Sequence, residues 1–250
     1  MGRKGGKRHL KRLPAPAFWP IQKKMWKWAM RPRAGPHSMD KSLPLGVIVR
    51  DLLKLARTGR ESQLLISQGK IKVDGRVRTD YKYPVGLMDV VEIPEAKTRA
   101  RMVPAPKKGL ALVDIPKEES LFKLCRIKDK ATVRKGNIQL NLHDARNLLV
   151  KVENPRNPVE DTYSTGDTLR INLPDQKIVQ HLKFAQGSYV VVTAGRNVGK
   201  HGKIASIETS SANRPLSIEI QGSDGENFRT VAEYVFVVGE TTPLIELRGQ

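Results

Sequence analysis

Three linked runs decide how this chain is built: Ser42-Leu-Pro-Leu-Gly-Val-Ile-Val-Arg-Asp-Leu-Leu-Lys-Leu-Ala56, Thr58-Gly-Arg-Glu61 and Lys70-Ile-Lys-Val-Asp-Gly-Arg-Val-Arg-Thr79. The first has apolar residues at Leu45, Ile48, Leu52 and Leu55, a spacing that predicts a helix with one buried stripe, leaving Arg50, Lys54 and Arg57 on the opposite side. Thr58 and Glu61 have the spacing of a capping box, in which hydroxyl and carboxylate satisfy free backbone N–H groups. A second short helix should follow through Leu64, Leu65 and Ile66, with Gly69 ending it in the left-handed conformation. Asp74-Gly75 between two β-rich runs is the strongest short hairpin signal, and a strand from Met88 to Ile93 would close the unit.

The unit therefore carries Lys54, Arg57, Arg60, Lys70, Lys72, Arg76 and Arg78 close together in sequence. Such cations form either a solvated face of a small α/β domain or a surface for a polyanion. The order helix, Thr-x-Arg-Glu, helix, Gln-Gly-Lys-x-x-Val-Asp-Gly resembles the S-four-type (alpha-L) RNA-binding module. The further run Arg-Thr-Asp-Tyr-Lys-Tyr-Pro-Val-Gly-Leu-Met-Asp, Arg78 to Asp89, is similar to the archaeal and eukaryotic small-subunit ribosomal protein family called S-four-e.

Charge points the same way. The 250 residues hold 45 Lys and Arg against 25 Asp and Glu, a net +20, which implies a polyanionic partner, and nucleic acid is the usual one. Residues 1–39 carry 11 of the bases and no acid, and residues 96–109 another 5 with no acid, whereas residues 179–250 hold 7 of each sign. A single cysteine, Cys125, excludes an internal disulfide, and the five scattered histidines form no recognisable zinc pattern with it. No apolar run approaches the roughly 18 residues of a membrane span, and no apolar segment follows the first positive charges as in a signal peptide.

Residues 1–41 read as a basic arm. Gly, Pro and Lys dominate it, so the arm is expected to be disordered in the free protein. Lys4, Lys7, Arg8, His9, Lys11, Arg12, Lys23, Lys24, Lys27, Arg31 and Arg33 are candidate RNA contacts. All three tryptophans lie here among lysines, a pattern suited to base stacking and phosphate neutralisation. Trp19 is open to stacking or to anchoring the arm, and Trp28 reads as an anchor. The wording Gly-x-Lys-Arg-His-Leu-Lys-Arg-Leu, then Arg-Pro-x-x-Gly-Pro-His, also resembles the ribosomal family.

Residues 96–109, with Pro104, Pro106, Lys107 and Lys108, read as a basic linker. Residues 110–183 read as a central β domain, with strands at Leu121–Ile127, Ile138–Leu142, Leu148–Val152 and Leu169–Leu173. His143 adjoins Asp144, but neighbours on a strand face opposite ways and no nucleophile is evident, so catalysis is not expected there. Residues 184–250 begin with the strand Tyr189–Thr193 and a loop holding Gly195, Gly199 and Gly202 beside Arg196, Lys200 and Lys203. Only three residues separate Gly195 from Gly199 and His201 fills the hydroxyl position, so this is no phosphate-binding P-loop. The loop looks like the KOW motif of small SH3-like barrels, with either RNA contact or mere turning as its role.

The expected fold class is α+β, mostly β: a disordered basic arm (1–41), an alpha-L (S-four-type) RNA-binding module (42–95), a basic linker (96–109), a central small β domain (110–183) and an SH3-like KOW barrel with its tail (184–250). The resemblance implies a structural constituent of the small ribosomal subunit, monomeric within the particle and cytoplasmic. Its partners would be small-subunit rRNA and neighbouring ribosomal proteins, with no membrane, cofactor, metal or small-molecule substrate. Two rivals are an RNA-modifying enzyme of the pseudouridine synthase type and a KOW-containing transcription factor. The first requires a catalytic cleft that two small β units do not suggest, and the second leaves the arm and the alpha-L module unexplained.

Overall fold

A computed structural model describes residues 9–106, 109–152, 161–208, 216–223 and 225–247. The fold is α+β and mostly β: among these residues there are three five-stranded antiparallel sheets, two two-stranded ribbons and a few short helices.

In the Ser42–Ala56 run, Ser42–Pro44 is extended and pairs with Pro84–Gly86. The residue before a proline is driven out of the helical region, so the helix starts only at Leu45. It runs as α over Leu45–Val47 and widens to a π-turn over Ile48–Leu52, where the Leu53 N–H reaches Ile48 O at 2.9 Å. Lys54, with φ 55°, stops it. The expected stripe holds at Leu45 and Ile48, but Val49 joins it and Leu55 falls outside, 40% exposed. Thr58 caps the second helix, Gly59–Ser67, its Oγ1 accepting from the Glu61 N–H at 3.2 Å. The Glu61 carboxylate reaches back one residue further than the motif predicts, to the Arg57 N–H at 2.8 Å. Asp74 and Gly75 turn the hairpin between Lys72–Val73 and Arg76–Val77 with φ of 51° and 73°, as a tight primed turn requires.

Residues 96–109 are not a linker. Thr98–Ala105 pairs with Val90–Ile93 on one side and with Gly109–Asp114 on the other, extending the hairpin into a five-stranded sheet. The disguise is Arg101, fully buried on that strand. Its Nη2 donates to the carbonyls of Glu119 at 2.7 Å and Phe122 at 3.0 Å. Lys107 and Lys108 lie outside the described residues.

The central sheet has the order Asn147–Val150, Ile138–Leu142, Phe122–Thr132, Thr168–Asn172, Ile178–Leu182, adding a last strand to those read from the sequence. The C-terminal sheet has the order Asn227–Val231, Ser217–Gly222, His201–Glu208, Tyr189–Val192, Val235–Gly239. The two are not separate bodies. Phe122 and Leu124 point into one core with Val190, Val237 and the preceding unit's Met88, while Cys125 and Ile127 of the same strand belong to the central core. Alternation along one strand thus serves two cores.

The arm departs most from expectation. From His9 onward the described part is packed on the body, and Leu10, Ala15 and Trp19 share a core with Leu43, Leu45 and Ile48. Trp19 Nε1 donates to Ser42 O at 3.0 Å, and the Arg33 N–H to Lys82 O at 2.9 Å. Average composition hides this, because three well-placed apolar anchors suffice to hold a chain otherwise poor in them. Residues 1–8, with Lys4, Lys7 and Arg8, lie outside the described residues.

Candidate nucleic-acid interface

The arm's ribbon has two faces. Leu10–Lys11 pairs with Trp28–Ala29 in the register Leu10 to Ala29 and Lys11 to Trp28. Leu10 turns inward, and Lys11 and Trp28 turn outward. Trp28 is 51% exposed and so is not the anchor expected of it; Trp19, 3% exposed, fills that role and is withdrawn from stacking. Arg12 is likewise withdrawn. It is buried, its Nε donating to Trp28 O at 3.1 Å and its Nη1 to Gln22 O at 2.7 Å, so it braces the ribbon from beneath. His9, Lys11, Lys24, Lys27 and Arg33 stay exposed, with Lys23 and Arg31 half-buried. Arg33 pairs with Asp80 at 3.1 Å.

In the central module the short helices leave Lys54, Arg57 and Arg60 exposed. The hairpin cations are more engaged. Lys70 pairs with Glu95 at 2.9 Å, Lys72 faces Glu92 across the ladder, and the Arg78 guanidinium lies over the Tyr83 ring, 4.4 Å from its centre. Arg76 is exposed at the hairpin end.

Behind this hairpin lies a buried ionic cluster that gave no sign in the sequence. The Lys123 ammonium, fully buried, contacts Asp74 at 2.8 Å, Asp144 at 2.9 Å and Asp89. Arg146 bridges Asp74 at 2.6 Å and Asp144 at 3.1 Å, and His37 of the arm meets Asp89 at 3.1 Å. Backbone N–H groups finish the carboxylates: Val90 donates to Asp74 at 3.0 Å and Gly86 to Asp89 at 2.8 Å. Gly86 has no room for a side chain, since a Cβ there would lie 2.3 Å from the His37 ring. Burial opposes ionisation of Asp89 and Asp144, yet Lys123 and its histidine neighbours overcome it, holding Asp89 far below the carboxylate range and Asp144 at about 2. Burial dominates at Asp74 and pushes its carboxyl up, and three carboxylates outweigh desolvation at Lys123 and raise its ammonium further. One cluster thus joins the arm, the module and the central sheet, and sets the position of the hairpin that carries Arg76 and Arg78. A cavity of about 310 Å³ opens over it, lined by Arg76, Arg78, Tyr83 and Arg146 among others.

Beside it, Cys125, His143 and Asp144 bring ligand-type atoms within 4.8 Å of one another, a grouping that sequence spacing did not reveal. Nor do His143 and Asp144 sit on a strand. They lie in the turn after Ile138–Leu142 and both face inward, not to opposite sides as strand neighbours would. All three groups already have partners within the protein, the Cys125 thiol lying 3.5 Å from Asp144 Oδ2. His143 Nδ1 accepts from the Arg126 N–H at 3.2 Å and its Nε2 faces Leu87 O at 3.2 Å, so both ring nitrogens are engaged. Burial lowers the ring's pKa to about 4 and drives the Cys125 thiol well up, leaving a neutral imidazole and an unreactive thiol.

In the C-terminal sheet, Arg196, Lys200 and Lys203 are exposed around the glycine loop. Gly199, at φ +82°, sits so close to the first sheet's Pro106 that a Cβ would come within 2.5 Å, so the loop also docks against that hairpin. Lys200 lies 3.8 Å from Glu226.

Comparison with known proteins places these features. Residues 47–91 match the family model described as S4 domain, residues 4–40 the RS4NT (NUC023) domain, and residues 96–178 Ribosomal family S4e. The small ribosomal subunit protein eS4 of Staphylothermus marinus is 50% identical over 247 residues, covering 99% of this chain and 98% of the relative. The chain belongs to the S4e family of ribosomal proteins. The eS4 protein of Methanocaldococcus jannaschii is 47% identical, covering 99% of this S4e chain and 100% of the relative. The crystal structure of the 30S ribosomal protein S4e from Thermoplasma acidophilum superposes with a TM-score of 0.67 at 31% identity, covering 81% of this S4e chain and 97% of the other.

Proposed function

We propose that this S4e chain is a structural constituent of the small ribosomal subunit that binds rRNA without catalysing a reaction. The carrying observation is the pairing of a basic arm, free of acid over residues 1–39, with the exposed cations Lys54, Arg57 and Arg60 on a module whose position is fixed by a buried ionic cluster. Residues 42–95 are read as an alpha-L module and residues 184–250 as an SH3-like KOW barrel, with Lys4, Lys7, Arg8, Lys107 and Lys108 completing the phosphate contacts. Counterion release by the arm and module supplies attraction, and the preformed shape sets register on the RNA. The charge-balanced C-terminal sheet adds packing surface for neighbouring ribosomal proteins rather than long-range attraction. An RNA-modifying enzyme of the pseudouridine synthase type would need a catalytic domain with a cleft, where the described residues from Phe122 to Gly239 form two small antiparallel sheets, and a KOW-containing transcription factor has no use for the arm.

The test is filter binding of the full chain to small-subunit rRNA across a salt series, with co-sedimentation on assembled subunits. A steep salt slope together with retention on the subunit is expected. A salt-insensitive interaction, or absence from the subunit, overturns the reading.

A further inference from the structure

The arm's ribbon leaves one aromatic face uncovered. Trp28 is 51% exposed on it and Trp26, two residues upstream, 65%, a large apolar area to leave in water on a segment whose other tryptophan is buried. Two lysines flank the ring, Lys11 directly across the ladder and Lys27 with its Nζ 5.4 Å from the indole centre, and the His9 ring is tilted against it at 5.6 Å. The face is also braced. Arg12 holds the Trp28 carbonyl from below at 3.1 Å, and Leu10 and Trp19 seat the ribbon in the core. An indole on such a support is pre-oriented and loses little freedom when a planar partner stacks on it.

We propose that this face, centred on Trp28, is a stacking platform for an unpaired base of single-stranded RNA. The choice of occupant follows from charge. Residues 1–39 contain 11 bases and no acid, so the lysines and arginines of an ordinary mixed-charge protein surface find no acidic partner there, while a nucleotide offers a π-face to the indole and a phosphate to Lys11 or Lys27. This rests on the RNA-binding function proposed above and assigns it a contact that is stacking rather than charge. It also moves the stacking role from Trp19 to Trp28.

The experiment compares full-length wild type, Trp28→Ala and Trp28→Phe for binding to a single-stranded oligoadenylate of about 12 nucleotides and to inorganic polyphosphate, each over a salt series. Trp28→Ala should weaken the oligonucleotide about 5- to 100-fold with an unchanged salt slope, leave polyphosphate binding intact, and be largely rescued by Phe. Trp28→Ala binding oligoadenylate as wild type does overturns the platform alone, and points to a protein neighbour for this face. An equal loss for polyphosphate shows that the substitution disturbs the ribbon's charge display, and overturns it too. Wild type binding neither probe overturns the RNA-binding reading along with it. Tryptophan emission gives a second readout: RNA should quench wild type strongly and a Trp26→Phe/Trp28→Phe variant, which keeps only buried Trp19, hardly at all. Equal quenching in both counts against the platform.

Discussion

The Lys123 ammonium lies 2.8 Å from the Asp74 carboxylate, across 49 residues of sequence. Asp89 and Asp144 share the same ammonium, so one lysine with almost no access to water contacts all three carboxylates, and Arg146 adds a second cation at Asp74 and Asp144. Lys123→Met should destabilise the chain by about 3–5 kcal/mol, because it leaves buried charge uncompensated. Chemical denaturation with a tryptophan signal measures it. An unchanged midpoint would show that the cluster contributes nothing to stability.

Acid should weaken the fold in a defined window. His143 has an ordinary value of 6.5 and a folded one of about 4, so between those values the unfolded chain takes up a proton that the folded chain refuses. The stability this ring contributes is complete above pH 6.5 and falls as pH drops toward 4, by roughly 3 kcal/mol in all. Asp144, depressed from 3.8 to about 2, continues the decline in the same direction. In His143→Asn the fall between pH 6.5 and 4 should be shallower than in wild type. Parallel curves from thermal melts at stepped pH would rule the ring out as its source.

Trp19 should control the arm. Trp19→Ala removes a fully seated indole and its bond to Ser42 O. Local undocking is expected, read as fast tryptic cleavage near Lys23, Lys24 and Lys27 while the body resists. Trp19→Phe keeps most of the packing and loses about 1 kcal/mol with the hydrogen bond. An arm that stays protected in Trp19→Ala would mean that His37, Arg33 and Leu10 suffice to hold it.

Cations that stand free should weigh more in RNA binding than cations already paired. Arg57→Ala with Arg60→Ala should lower the salt slope by about one unit for each phosphate no longer neutralised. Lys70→Ala should change it less, since Glu95 at 2.9 Å already takes part of that charge. Filter binding to small-subunit rRNA gives both numbers. A larger effect at Lys70 would reverse the ranking.

Local chemistry was readable from the chain, and pairings between distant residues were not. The Thr58 cap, the Asp74-Gly75 turn and the alternating Ile138–Leu142 strand are each specified within a few residues, and each formed. The strand through Arg101 was mistaken for a linker, because a buried guanidinium reads as a surface charge until its two carbonyl acceptors are known. Arm docking failed for a related reason: composition averages over the segment, whereas anchoring depends on where Leu10, Ala15 and Trp19 fall. The pairs that join the module to the central sheet lie 34 to 72 positions apart, and no short window of sequence holds both ends of any of them.

Synthesis runs from the amino terminus, and this gives the cluster a history. Asp74 and Asp89 leave the translating ribosome well before Lys123, and Arg146 comes later still. Until then the hairpin and the turn before the next strand hold two inward-facing carboxylates whose lysine and arginine partners are not yet made, with only His37 of the arm beside Asp89, so the nascent module must keep that side wet. Its dry, locked form is reached only when the central sheet arrives. The module is therefore completed by strands made after its own, and a fragment ending near residue 95 would reproduce its hairpin without reproducing its interior.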